Sequence, residues 1–249
     1  MDSFRVLRNT QVVILGVCIA AATIVASLIL SHGFIRVIQM TREQISVTGS
    51  ANKQITSDYV VWRASFTVRD PDSAKGYKRL AADLETVKKY LLAKGIAENE
   101  IVIPQVSTEQ LYKKDEHGND TNEFMDNRLM QLIEVRSENV SRITQVSREI
   151  TQLIDQGVQL NSGTPDYLYR KLDELKLEML AKATENAKLR AENMARATGN
   201  RIGRIRSAKM GVFQITPVNS NEVTDYGVND TSSLEKKVTA VVTTSFAIE

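Results

Sequence analysis

The sequence predicts an α+β domain, an antiparallel or mixed sheet packed with about three helices, behind one transmembrane helix. Three observations carry this. Val12 to Leu30 is a nineteen-residue run without a charge. The remainder alternates segments of two-residue apolar period with segments of helical period. Strands come in pairs between the helices, in the order β-β-α-β-β-α-β-β-α-β-β, which favours α+β over a doubly wound sheet.

The apolar run comes first. Nineteen residues at 1.5 Å each span roughly 28 Å, close to a hydrocarbon core of about 30 Å. We divide the chain into a tail over 1–11, a membrane segment over 12–31, a linker over 32–42 and the domain over 43–249. A cleaved signal peptide has a shorter apolar region and a small-x-small site. Ala20–Ala22 would serve as one, but the run continues to Leu30. A lipoprotein signal needs a small residue before its cysteine, and Val17 precedes Cys18. An uncleaved signal anchor explains the length directly, with the cleaved signal as the variant. Lys and Arg near the two ends nearly tie, so the positive-inside rule leaves orientation open.

Ile45–Val47 reads as a strand, Thr48–Asn52 as a turn and Tyr59–Val68 as a second strand. In that second strand Trp62, Ala64, Phe66 and Val68 alternate with polar partners. Asp70-Pro71-Asp72-Ser73 opens a helix, with Pro71 near its first turn. Its stripe is Tyr77, Leu80, Leu84, Val87 and Leu91, and Gly95 is its cap. Ile101–Lys113 and Arg128–Val135 make a hairpin around His117-Gly118-Asn119-Asp120, with Pro104 marking an edge or bulge. A second helix covers about Val140–Leu153, followed by short strands at Gly157–Leu160 and Tyr167–Tyr169. The longest helix runs from Leu172 to about Thr198, with an inward stripe of Met179, Ala183, Ala187, Ala191 and Met194. Ile205–Ile215 and Val238–Ile248 close the sheet, with Val218–Ser233 an exposed polar loop between them.

Composition excludes some chemistry. Removing Arg5, Arg8 and Arg36 from 32 basic residues, and Asp2 from 30 acidic ones, leaves 29 of each over Met40–Glu249. A near-neutral net charge does not argue for nucleic acid, whose phosphates need a clustered basic face. Its longest basic patch, Arg201, Arg204, Arg206 and Lys209, reads as a solvated strand, so nucleic acid is not an expected partner. Cys18 is the only cysteine and lies in the apolar run, so the domain holds no disulfide, zinc site or thiol nucleophile. Its one histidine, His117, is expected on a turn tip; neither a Cys-His pair nor a Ser-His-Asp triad assembles. Asp115-Glu116, Asn119-Asp120 and Asn122-Glu123 suggest oxygen ligands but lack the spacing and closing Glu of a calcium loop. Gly49, Gly199 and Gly203 do not open a helix as a phosphate loop does. We therefore expect no catalytic, cofactor-binding or metal residues, and no enzyme.

At the long helix a resemblance appears. Ala187-Lys188, Arg190-Ala191-Glu192, Met194-Ala195, Gly199, Gly203 and Ile205 resemble the signature of the SIMPL-domain family. That group includes bacterial periplasmic immunogenic and oxidative-stress-defence proteins. Ile45-Ser46-Val47-Thr48-Gly49-Ser50-Ala51 looks like the family's start, and Gly95-Ile96, Ile101 and Gln156-Gly157-Val158 fall in its order. Ser57-Asp58 departs from the Pro-Asp common there. The resemblance implies an α+β envelope domain outside the cytoplasm, often behind a signal or anchor, with a tendency to self-associate. It implies no catalytic residues, which leaves Ala187, Ala191, Gly199 and Gly203 as fold determinants.

Two functions follow as expectations. The first is a non-enzymatic, single-pass envelope protein with a periplasmic-side domain. It acts through self-association or contacts with envelope proteins, with stress defence as the family's suggestion. The alternative is a module that captures a ligand or partner at the membrane surface, which requires a concave apolar pocket with a few converging polar groups.

Overall fold

The computed structural model describes residues 16–33 and 43–249. The tail, the first residues of the expected membrane segment and most of the linker lie outside the described residues. Helix α1 covers Gly16–Gly33, with mean hydropathy 1.8 and no residue buried. It is long and apolar enough to cross a membrane, a test that a signal sequence near the N-terminus also passes.

The strands are β1 (Gln44–Thr56), β2 (Tyr59–Asp70), β3 (Ile101–Val102), β4 (Ser107–Lys114), β5 (Asp120–Ser137) and β6 (Leu160–Ser162). They continue with β7 (Asp166–Leu168), β8 (Ile202–Met210), β9 (Gln214–Pro217), β10 (Val228–Asn229) and β11 (Glu235–Ile248). Between them lie helices α2 (Ser73–Ala93), α3 (Val140–Glu149) and α4 (Leu172–Ala197). The fold is α+β, with two sheets. One is ordered β1-β11-β9-β10 with β8 also on β11. The other is ordered β3-β5-β2-β6, with β4 on β5 and β7 on β2. The described residues form two compact units, one of residues 16–33, 43–50, 180–211 and 241–249, the other of residues 51–179 and 212–240.

The larger unit is built on β2 and β5, antiparallel from Val60↔Ser137 to Asp70↔Asn127. The expected alternation holds: Val60, Trp62, Ala64, Phe66 and Val68 face the core, as do Leu129, Ile133 and Val135. Each large side chain so buried contributes roughly 1.5–3 kcal/mol. Trp62 is fully buried, and its Nε1 donates to Ser162 Oγ and the Gly163 carbonyl, both at 3.1 Å. A buried indole N–H needs such partners.

Helix α2 starts where Asp72 accepts from the Ala74 and Lys75 amides, so Pro71 precedes the cap instead of entering the first turn. Its buried stripe is Gly76, Leu80, Val87 and Leu91. Tyr77 stays exposed, because Gly76 holds the contact position against the Leu129 methyls. Gly95 stands at φ +78°, where a glycine cap costs no steric strain. Asn139 caps α3 by accepting from the Arg142 amide. Beyond Glu149 the helical segment tightens into a 3-10 turn over Ile150–Gln156.

The smaller unit packs the later part of α4 on strand residues. Val47, Ala187, Ala191 and Phe246 form its core, with Ile45 and Ile202 against them. The Thr48–Asn52 turn expected from composition does not exist: β1 runs straight through it. Gly49 is there for proximity. A Cβ on it would lie 2.3 Å from the Ala183 carbonyl oxygen and from the Ala187 nitrogen. The stripe also ends differently. Met179, Ala183, Ala187 and Ala191 advance by four, and the next buried residue is Ala195; Met194 is 53% exposed.

Two expected long strands are each broken. Ile101–Lys113 divides at Pro104, which has no N–H for a ladder. Ile205–Ile215 divides at Gly211, leaving β8 and β9 as separate strands. The loop over 218–233 is not wholly free, since Val228 and Asn229 pair in parallel with Gln214 and Ile215.

Candidate functional site

A cavity of about 370 Å³ opens in the larger unit. Ile55, Tyr59, Leu168, Tyr169, Leu172 and Ile215 supply most of its wall. Tyr167, Arg170, Asn229, Thr231 and Lys236 complete it. Its size and mostly apolar wall suit a small molecule.

The polar groups are held in place by a network. Arg63 on β2 donates to Asp166 on β7 at 3.0 Å, and Thr231 Oγ1 donates to the other Asp166 oxygen at 3.0 Å. That ties the 218–233 loop to the sheet edge. Arg170 is fixed by its own amide, which donates to Asp58 at 2.9 Å, and by a guanidinium bond to Glu138. Its guanidinium lies 5.4 Å from the Tyr59 ring centre, a cation–π distance.

Lys236 is the unusual member. It sits at an inward position of β11 and is 3% exposed. Its Nζ donates to the Tyr167 carbonyl at 2.5 Å and to the Asp230 carbonyl. Burial pushes its ammonium below the ordinary lysine value, and the charges of Asp230 and Asp166 oppose this in part. Asp230 is pushed up by burial, but bonds from Ser232 and Ser233 and the nearby Lys236 charge outweigh it and hold the carboxyl low. Asp230 Oδ2 is buried and has no hydrogen-bond partner.

A second feature is a two-stranded arm. The pairing of β2 with β5 stops at Asn127, while β4 and β5 continue together to Lys114↔Asp120. Along the arm Tyr112, Phe124 and Met125 are 38%, 44% and 49% exposed. Exposed cross-strand ion pairs Lys113–Glu123 and Lys114–Asp120 lie along it.

His117 lies at the exposed tip of this arm. Asp115 accepts from the His117 and Asn119 amides and from Asn119 Nδ2, so its carboxylate is spent on the turn. Those bonds, the Asn119 amide first, hold the Asp115 carboxyl below its usual range. Glu116 and Asn122 are exposed beside it. Among the described residues no group of three or more His, Cys, Asp or Glu could hold a metal. Arg204, Arg206 and Lys209 are exposed along β8, with Arg201 just before it. Cys18 is exposed on α1.

No cavity residue was singled out from the sequence. The available signal was Lys236 in register with Val238, Ala240 and Val242: a charge on the inward face of a strand.

The family comparison covers most of this chain. The SIMPL profile, described as a protein of unknown function (DUF541), matches residues 45–246. The chain belongs to the SIMPL family. The SIMPL match takes in α2 to α4 and all but the outermost residues of β1 and β11, and it begins after α1. Both the cavity and the arm therefore lie inside the SIMPL domain. The search of curated proteins returns no match.

Proposed function

We propose that this protein is a non-enzymatic, membrane-anchored envelope protein whose SIMPL domain works outside the cytoplasm through self-association and protein contacts. A single apolar helix followed by a SIMPL domain fits membrane anchoring. The observation that carries the contact reading is the β4–β5 arm. A two-stranded ribbon is marginal alone in water, and this one exposes Tyr112, Phe124 and Met125 beyond the last β2–β5 pair. Exposed apolar residues gathered on one projection favour a protein surface as their partner. Stress defence is the process that the family resemblance suggests for this protein.

The test is cysteine cross-linking of the full chain in membranes, with Cys18→Ser and Met125→Cys. Cross-linked dimers or larger species are expected, and a product that stays monomeric at every reagent concentration would overturn self-association. Protease digestion of spheroplasts examines orientation, since a protected domain would refute the outward placement. The cavity beside Lys236 favours a second reading, in which the domain also captures a small ligand.

A further inference from the structure

The cavity combines an apolar wall with a buried cation. Ile55, Leu172 and Ile215 present aliphatic surface, and Tyr59 and Tyr169 are its aromatic neighbours. Such a wall takes the body of a hydrophobic molecule and offers little to a sugar or a nucleotide phosphate. The polar part of the lining is Arg170, Asn229, Thr231 and Lys236, three of them donors of side-chain N–H groups.

The cations differ in how they are met. Arg170 bonds Glu138 and lies 3.9 Å from Asp58, so two carboxylates answer its charge. Lys236 bonds two peptide carbonyls. Carbonyls satisfy donors but do not neutralise a charge, and an ammonium has three donors to place. Of the acids near it, Asp166 is bonded to Arg63 and Thr231, while Asp230 Oδ1 accepts from Ser232 and its Oδ2 has no hydrogen-bond partner. Both charges act on the ammonium from a distance, and neither carboxylate is bonded to it. An ammonium desolvated in this way gains more from a contacting carboxylate than one in water does.

We infer that this cavity binds a small carboxylate with an aromatic or aliphatic body, its carboxylate meeting Lys236 and its body lying against Tyr59, Ile55 and Ile215. The inference deepens the ligand-capture reading and rests on it. It is independent of whether the β4–β5 arm self-associates. Asp166 and Asp230 set its limit: a dianion would meet two fixed carboxylates close to the ammonium, so a single carboxylate is the species that fits.

The experiment is a ligand-observed NMR titration of the full chain in lipid nanodiscs. The probes are phenylacetate and indole-3-acetate, each beside its neutral amide, with empty nanodiscs as the blank. We expect each acid to bind at least about tenfold tighter than its amide, the scale of one charge-assisted bond. Lys236→Met, which keeps the stem and removes the ammonium, is expected to abolish the preference while leaving amide binding within about twofold. Acid and amide binding alike to the parent chain would overturn the carboxylate inference and leave ligand capture standing. No binding of any probe above the blank would overturn both. Should Lys236→Met fail to fold, Leu172→Trp, on the cavity wall, is the second variant. It should weaken acid and amide together, and unchanged acid binding would place the probe elsewhere and refute the site.

Discussion

Arg63 and Glu134 stand directly opposite one another on β2 and β5, and Arg63 Nε donates to the Glu134 carboxylate at 2.6 Å. Arg136 Nε donates to the other oxygen at 2.5 Å. Burial pushes the Glu134 carboxyl up, yet the two arginines outweigh it and hold the group below its ordinary 4.5. A carboxyl depressed by folding stabilises the fold fully above the unfolded value and loses that contribution as pH falls through the folded value. Glu134→Gln should cost about 1–2 kcal/mol at pH 7, the half-exposed arginines limiting the size. Urea midpoints for the two chains should converge in strong acid. An equal gap at both pH values would show that charge is not the cause.

Gly49→Ala should destabilise the smaller unit by about 3 kcal/mol, because the added carbon meets helix backbone and not a movable side chain. Thermal unfolding measures it. A loss below about 0.5 kcal/mol would mean that β1 and α4 separate easily there.

The Asp72 side chain accepts from two amides at the start of α2, at 2.9 Å and 3.3 Å. Asp72→Ala removes the cap and should cost about 1 kcal/mol, whereas Asp72→Ser should recover most of it. The comparison of the two midpoints is the check.

On α4 adjacent residues should behave oppositely. Met194→Ala changes an exposed side chain and should stay within about 0.5 kcal/mol of the parent. Ala195→Leu adds volume at a position 2% exposed and should cost about 1–3 kcal/mol. Similar effects at both sites would revive the stripe that ends on Met194.

Phe124→Ser with Met125→Ser should leave stability within about 0.5 kcal/mol, since neither side chain is in the core. The same change should reduce the cross-linked species formed through the β4–β5 arm. A chain that still cross-links fully through a cysteine at Tyr112 would move the contact elsewhere.

The features legible in the sequence are those set by neighbours along the chain. The described part of the charge-free run, from Gly16, lies in α1, the two-residue period of Trp62 to Val68 became the inward face of β2, and Asp72 and Gly95 bound α2. Each is a property of a short segment meeting water or an apolar phase. The features that composition misread depend on what lies opposite. Thr48–Asn52 has turn-forming residues, yet α4 passes so close to Gly49 that a strand with no side chain is what fits. Met194 and Ala195 are adjacent and both apolar, yet only Ala195 is buried, and their apolarity does not tell them apart.

The candidate site shows the same division. Lys236 could be read as an inward-facing charge from its alternation with Val238 and Ala240, but nothing local places Asp166, Thr231 and Tyr59 around it. Those residues are brought together by β7 joining β2 and by the 218–233 loop folding onto the Asp166 carboxylate. By itself the sequence determined the membrane-length helix, the α+β class and the ends of α2, because these answer to local periodicity and solvation. Only the tertiary structure decided which strand runs beneath the alanines of α4 and which charge loses its water, because burial belongs to the assembled chain.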